Sequence, residues 1–128
     1  MTESLQQRFE SIAQRANADA RLVHRGRHLT ADLKVVVGDA PYLLRIRAGR
    51  VDSLQAQMPL FAPADLVIRA TQEAWAALWE PMPRPGWHDL FALTKRGAMT
   101  IEGDSHVLFA HLQYLKDVLA LPRQAPAH

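Results

Sequence analysis

Gly97–Leu121 reads GAMTIEGDSHVLFAHLQYLKDVLAL, and the rest of the chain must build a surface that fits it. The stretch predicts a strand over Met99–Glu102, a turn at Gly103 and a helix beginning at Asp104, because Asp is a favoured N-cap residue. Apolar residues and one histidine then recur along a single helical face: Val107, Leu108, His111, Leu112, Leu115, Val118 and Leu119. Pro122 ends this helix, which is about 26 Å long. A helix so long and apolar requires an equally apolar partner surface.

The composition is that of an ordinary globular domain, with 48% hydrophobic and 22% charged residues in 128. The chain has no cysteine, which excludes disulfides, a thiolate nucleophile and cysteine-based metal sites. No apolar run is long enough to span a membrane, and the N-terminus MTESLQQRFESIAQRA lacks the apolar core of a secretory signal. We therefore expect a soluble, cytoplasmic protein with a single domain over residues 1–122 and a flexible tail over 123–128.

Arginine is dense in two places along the sequence: Arg21, Arg25, Arg27 and Arg45, Arg47, Arg50. The formal net charge is nevertheless only +2. Nucleic-acid-binding proteins interleave basic residues with aromatic ones that stack on bases, whereas the aromatic residues here lie elsewhere, between positions 75 and 91. This separation predicts that the arginines line solvated strand faces, and it argues against nucleic acid as a partner.

The remaining patterns predict strands and helices of ordinary length. Alternating apolar residues indicate strands over 29–37, 42–47 and 66–70. Residues 21–25 are read as a short strand before Gly26, and residues 51–57 as a strand that follows the tight connection at 48–50. Apolar faces with helical spacing indicate helices over 4–16, 72–80 and 88–95. Residues 58–63, MPLFAP, cannot form a central strand because they include two prolines, and we expect this apolar loop to cover another part of the molecule. The order predicts an α+β fold with helices gathered on an antiparallel or mixed sheet.

No catalytic or metal-binding constellation stands out. The chain has no G-x-S-x-G elbow, no P-loop and no G-x-G-x-x-G at a helix start. His24 and His28 flank a glycine in a predicted turn, and His106 and His111 point in different directions on a helix, so neither pair has metal-ligand geometry. We therefore expect no catalytic residues, no metal and no cofactor.

His111 lies inside the apolar face of the last helix. One interpretation is a core histidine bonded to a backbone carbonyl, because buried polar groups are normally satisfied in that way. The other makes His111 the polar contact at the end of an apolar pocket, where it would orient a ligand.

The strongest positive signal is a run of Met and aromatic residues on broken helices: Trp75, Trp79, Met82, Trp87, Phe91 and Met99. Such side chains suit an adaptable apolar cavity, although they could also simply fill the core. Phe109, on the polar side of the last helix, is unusual, and a homodimer contact there is left open.

The segments Ala64–Thr71 (ADLVIRAT), Glu73–Trp75 (EAW) and Lys95–Asp104 (KRGAMTIEGD) resemble the sterol carrier protein-2 (SCP2) domain family in order and spacing. Pro85–Phe91 (PGWHDLF) resembles a segment of its bacterial members. The resemblance spans residues 20–121. It implies a five-stranded, mostly antiparallel sheet covered by helices, with a long C-terminal helix and an apolar tunnel for a fatty-acyl, sterol or similar ligand. The C-terminus QAPAH lacks a peroxisomal address, so bacterial cytoplasm fits better.

The residue pattern requires an apolar surface opposite the last helix, and the resemblance implies that a ligand binds there. Together they predict a non-enzymatic protein that carries or senses an apolar small molecule, such as a fatty-acyl chain or another lipid. The expected ligand-binding residues lie in the aromatic run and on the last helix: Trp75, Trp79, Met82, Trp87, Phe91, Met99, Leu108, His111, Leu112 and Leu115. One alternative is a small α+β cone-type isomerase or cyclase that uses His111 or Asp65 as a base in an apolar cavity. Another is an interaction or dimerisation module whose core is filled by its own side chains.

Overall fold

The computed structural model describes residues 4–56 and 63–123. The strands are β1 (Ala31–Val37), β2 (Ala40–Arg47), β3 (Arg50–Ala56), β4 (Leu66–Ala70) and β5 (Met99–Gly103). The helices are α1 (Leu5–Glu10), α2 (Ile12–Ala18), α3 (Ala20–Arg25), α4 (Gln72–Leu78), α5 (Leu90–Lys95), α6 (Ser105–Ala110) and α7 (Leu112–Leu119), followed by a 3₁₀ turn at Leu121–Arg123. Most of the loop predicted to cover another part of the molecule, residues 58–62, lies outside the described residues, as does the tail over 124–128.

The strands form one sheet in the order β3-β2-β1-β4-β5. Strands β1 and β4 pair in parallel, and the other neighbours are antiparallel. The predicted α+β class with a five-stranded, mostly antiparallel sheet covered by helices is therefore confirmed. Because β1 and β4 run in the same direction, the carboxyl ends of both strands lie at the same end of the sheet.

Alternation along the strands separates a buried face from a solvated one. Leu33, Leu44 and Leu66 are partners across three strands and are fully buried under the helices. On the β2–β3 hairpin, Arg45 and Arg50 are exposed. The predicted solvated arginines are confirmed at these two positions.

The N-terminal 25 residues form three short helices, which corrects two predictions. The single helix expected over 4–16 is interrupted at Ser11 and continues as α2 to Ala18. The strand expected over 21–25 is wrong, because this segment is α3. Asp19 has extended backbone angles, and its side chain accepts a hydrogen bond from the Leu22 amide at 3.1 Å. This N-cap starts α3, so the segment is a helix and not the predicted strand.

Helix α4 begins at Gln72, as predicted, whereas α5 begins at Leu90, two residues after the predicted start at 88, because Asp89 is its N-cap. The Thr71 hydroxyl accepts from the Ala74 amide at 3.1 Å, and the Asp89 carboxylate accepts from the Ala92 amide at 2.9 Å. Among the helices formed by residues 4–56 and 63–123, none has the length and apolarity needed to cross a membrane.

The long C-terminal helix is confirmed in position but is divided at His111, which corrects the predicted continuous helix. The Asp104 carboxylate caps α6 by accepting from the His106 amide at 2.9 Å, as the sequence predicts. His111 then leaves helical geometry, with φ −123° and ψ 25°. The buried face also differs from the predicted one, because Tyr114, absent from the prediction, is buried, whereas Val107 is only half-buried.

Tyr114 links α7 to the turn between β2 and β3. Its hydroxyl donates to the Gly49 carbonyl at 2.7 Å, and burial raises the pKa of Tyr114 to about 12. Gly26 makes room for the ring, since a Cβ at that position would lie 2.4 Å from a Tyr114 ring carbon.

The last helix, predicted to end at Pro122, ends at Leu119, and a 3₁₀ turn over Leu121–Arg123 follows it. Arg123 donates to the Leu78 carbonyl at 3.0 Å and to the His88 carbonyl at 2.8 Å. The first residue of the predicted tail is therefore held against the α4–α5 region.

Candidate functional site

Two of the predicted ligand-binding residues, Trp75 and Trp79 on α4, lie in the centre of the core. Both are 0% exposed, and their rings are 5.4 Å apart at an interplanar angle of 35°. The Trp75 indole N–H donates to the Val36 carbonyl at 3.0 Å, and the Trp79 indole N–H donates to the Leu119 carbonyl at 2.7 Å. These indoles join the sheet to the C-terminal helix, and their polar atoms are satisfied by the backbone.

Three further predicted residues, Met99, Leu108 and Leu115, are also buried in this core. Met99 belongs to β5, Leu108 to α6 and Leu115 to α7. All three are members of the same hydrophobic cluster as the tryptophans. The deep space between the sheet and the last helix is thus occupied by side chains of the protein itself.

The remaining predicted residues lie at or near the surface. Met82 is 87% exposed in the connection between α4 and α5. Trp87 is half-buried, with the guanidinium carbons of Arg84 and Arg96 4.9 Å and 4.3 Å from its ring. The Arg96 Nε also donates to the Gly86 carbonyl at 2.8 Å. The two arginines therefore hold the Trp87 ring in place through cation–π contacts.

Phe91 on α5 meets Phe109 on α6 at the surface, with ring centroids 6.0 Å apart. The Lys116 ammonium lies 5.2 Å from the Phe91 ring and 3.2 Å from a carboxylate oxygen of Asp89. Burial opposes ionisation of Asp89, but the Ala92 amide and Lys116 more than offset it, so the pKa of Asp89 is lowered. Asp89 thus stays ionised and fixes Lys116 beside the aromatic pair.

His111 and Leu112 are half-buried at the division between α6 and α7. The His111 amide donates to the Val107 carbonyl at 3.2 Å, and its carbonyl accepts from the Leu115 amide at 3.0 Å. No hydrogen bond of the imidazole to another residue is present in the part of the chain that the structure describes, so the core histidine bonded to a carbonyl is not what forms here.

Several apolar side chains around β5 pack against the core without being fully covered. Helix α5 packs against β5, the edge strand on this side of the sheet. The set combines half-buried residues with the partly exposed Phe91: Trp87, Phe91, Ile101, Val107 and Leu112. We call this set the β5-side surface. It contains three of the ten predicted ligand-binding residues and adds Ile101 and Val107.

Asp65, the alternative base, has a structural partner. Its carboxylate accepts from the Asp32 amide at 2.7 Å, and its carbonyl accepts from the Asp104 amide at 2.8 Å. Asp65 therefore joins the starts of β1 and α6. Within the described residues, no three His, Asp or Glu side chains are grouped closely enough to hold a metal ion.

Two surface grooves lie away from the predicted residues. One, of about 470 Å³, lies at the carboxyl ends of β1 and β4; its lining includes Val36, Asp39, Arg69, Thr71, Ala98 and Thr100. The other, of about 550 Å³, follows α3 and is lined by Ala20, Arg21, His24, Arg25 and Arg27. Sequence reasoning missed the first groove because it did not predict the parallel β1–β4 pair.

No protein-family model and no curated protein matches the sequence. Solved structures match the fold over nearly the whole chain. A crystal structure of sterol carrier protein 2 has a TM-score of 0.72 at 16% identity, covering 93% of this chain and 95% of that chain. A conserved hypothetical protein of Thermus thermophilus, described as a possible sterol carrier protein, has a TM-score of 0.69 at 15% identity, covering 94% and 89%.

A third structure, the UbiJ-SCP2 ubiquinone synthesis protein, has a TM-score of 0.58 at 19% identity, covering 92% of this chain and 89% of that chain. At identities this low, the likenesses establish the fold and leave the ligand open. The motifs that resemble the family lie at the β4–α4 and β5–α6 junctions, where Thr71 and Asp104 cap the helices. Sequence motifs, strand order and chain coverage agree that this protein has the sterol carrier protein 2 fold.

Proposed function

We propose that this protein binds and carries an apolar small molecule, such as a fatty-acyl chain, at the β5-side surface. The observation that carries the proposal is that Trp87, Ile101 and Val107 pack against the core but remain only half-covered. An acyl chain lying on these side chains would remove their exposed area from water, which favours binding. The fold adds support, because a protein named as a sterol carrier shares it.

Among the described residues, the opposite edge of the sheet is covered by a helix. Helix α2 packs on β3, and the Asn17 side chain donates to the Val51 carbonyl at 2.9 Å and accepts from the Val51 amide at 2.8 Å. Asn17 thereby satisfies backbone groups that an edge strand otherwise leaves unpaired. This contrast favours the β5 side as the place where a ligand enters.

The buried tryptophans have a different part in this proposal. Trp75 and Trp79 belong to the closed core, together with Met99, Leu108 and Leu115, and the acyl chain lies on the surface outside that core. Each methylene removed from water would contribute up to about 0.8 kcal/mol. Ordering of the chain offsets much of this gain, so we expect micromolar rather than nanomolar affinity.

Melting temperatures of the lipid-stripped protein with saturated fatty acids of increasing length test the proposal. We expect the melting temperature to rise with chain length, because longer chains bind more tightly and a ligand of the native state stabilises it. Ile101→Trp, which would fill the β5-side surface, should abolish the rise. Leu54→Trp is the matched control, since Leu54 is half-buried on the same sheet face at the β3 edge.

An equal loss in both variants, or no rise in the unmodified protein, would count against the carrier function. The second result would favour an interaction module with a filled core, a candidate supported by the complete burial of Trp75 and Trp79. Native mass spectrometry separates the two, because a carrier is expected to retain lipid and an interaction module is not. A cone-type isomerase or cyclase has no support from the fold, and the Asp65 carboxylate is engaged by a backbone amide.

A further inference from the structure

The large exposed hydrophobic side chains among the described residues come from one part of the sequence. They are Met82 at 87%, Phe91 at 38% and Phe109 at 63% exposure. Phe91 and Phe109 belong to different helices, and their rings meet at 6.0 Å. Two phenyl rings that contact each other and remain in water form an apolar patch, which is a common mark of an interaction surface.

Two lysines border this patch. Lys116 lies 5.2 Å from the Phe91 ring, and Lys95 follows Phe91 by one turn of α5 and is exposed. Because residues four apart share a helix face, Lys95 projects on the same side as Phe91. Segments 84–97 and 105–116 together contain four Lys or Arg residues and one carboxylate, Asp89. Lys116 already neutralises that carboxylate, at 3.2 Å.

Aromatic rings bordered by basic side chains match the chemistry of an anionic lipid surface. Phenyl rings enter the boundary between headgroups and acyl chains, while Lys and Arg keep their charges among the headgroups. A second copy of this chain would bring the same cations against each other, which like-charge repulsion disfavours. An anionic bilayer instead supplies the opposite charge.

We propose that the patch formed by Phe91 and Phe109, with Lys95 and Lys116, docks this protein on an anionic lipid bilayer. The role of this docking rests on the proposed carrier function. Because Phe91 also belongs to the β5-side surface, an acyl chain would pass between the bilayer and the protein without crossing water. The docking itself is independent of bound ligand and can be measured without one.

Co-sedimentation of the full chain with vesicles tests the proposal. We expect binding to phosphatidylcholine vesicles that contain phosphatidylserine, weak binding to phosphatidylcholine alone, and weaker binding as salt is raised. The double variant Phe91→Ser/Phe109→Ser should lower the partition coefficient by about tenfold or more. Arg21→Gln/Arg27→Gln, which removes cations from the α3 groove, is the matched control and should change the coefficient by less than about twofold.

The proposal is overturned if the unmodified protein does not sediment, if the phenylalanine variant sediments as well as the unmodified protein, or if the α3 variant loses as much. Light scattering after size exclusion adds a further outcome. A dimer that the phenylalanine variant dissociates would mean that a second copy covers the patch. Circular dichroism checks that each variant is folded.

Fatty-acid melting curves on the same variants separate the two proposals. Fatty-acid binding without vesicle binding overturns the docking surface and leaves the carrier function standing. Vesicle binding without a fatty-acid effect supports the docking surface and overturns the carrier function.

Discussion

Trp75 and Trp87 are twelve residues apart in the sequence, yet the protein uses them in opposite ways. Trp75 is fully buried, and its N–H is bonded to a backbone carbonyl of β1. Trp87 is half-buried, and two guanidinium groups hold its ring instead. The aromatic-rich segment that contains both residues therefore supplies part of the rigid core and part of an incompletely covered surface.

The cause of the difference lies in the helices that carry the rings. Trp75 and Trp79 are one turn apart on α4, so both point into the same core. Residues 80–88 then connect α4 to α5 and contain three prolines, which prevent a continuous helix. Trp87 lies in this connection, so the helical face that buries Trp75 and Trp79 does not extend to it.

Substitution of the two kinds of tryptophan should give the largest difference in stability. Trp79→Ala removes a fully buried indole and is expected to lower the free energy of unfolding by about 3–5 kcal/mol. Trp87→Ala should lower it by about 1–2 kcal/mol, since less area and mainly cation–π contacts are lost. Urea unfolding followed by far-UV circular dichroism measures both. Similar losses in the two variants would contradict the division between core and surface.

A smaller effect is expected from another buried aromatic polar group, the Tyr114 hydroxyl. Tyr114→Phe keeps the ring but removes the bond to the Gly49 carbonyl, and it should cost about 1 kcal/mol at neutral pH. An unchanged free energy of unfolding in urea at neutral pH would show that this hydroxyl contributes nothing.

The same variant has a characteristic pH dependence. Burial raises the pKa of Tyr114 from 10.0 to about 12, so between these values the unfolded chain releases a proton that the folded protein retains. The Tyr114 contribution is therefore complete below pH 10 and declines as the pH rises towards 12. The free energies of unfolding of the two proteins should therefore meet within this range, and Tyr114→Phe should be the more stable protein at its upper end. Tyr42, whose pKa is raised by burial and by Glu10, is present in both proteins and cancels.

The sequence was sufficient for the fold where local signals agreed. The Thr71 and Asp104 caps, followed by apolar helical faces, located α4 and the start of the last helix. The N-terminal region was mispredicted because residues 21–25 were assigned to a short strand before Gly26, whereas the Asp19 side chain caps a helix there. The β1–β4 pairing joins strands distant in sequence, and no local pattern specifies such a partner.

The candidate site was predicted less well, for a physical reason. Residue type indicates that a side chain is apolar, but burial depends on which elements surround it. Trp79 and Met82 looked equivalent in sequence, although the structure buries the first and leaves the second 87% exposed. The division at His111 was also missed, because its apolar spacing fits an unbroken helix. Tyr114 has the same helical spacing from His111 and Val118 but was not assigned to the core, because its type does not show that its hydroxyl has a buried partner.

Quenching of tryptophan fluorescence by a brominated fatty acid tests most directly whether an acyl chain binds at the β5-side surface. Bromine quenches only nearby indoles, so the unmodified protein should lose fluorescence on binding. Trp87→Phe should remove most of that loss and retain the fluorescence of Trp75 and Trp79. If quenching persists fully in Trp87→Phe, the acyl chain lies beside Trp75 and Trp79 instead, and binding at the β5-side surface is contradicted.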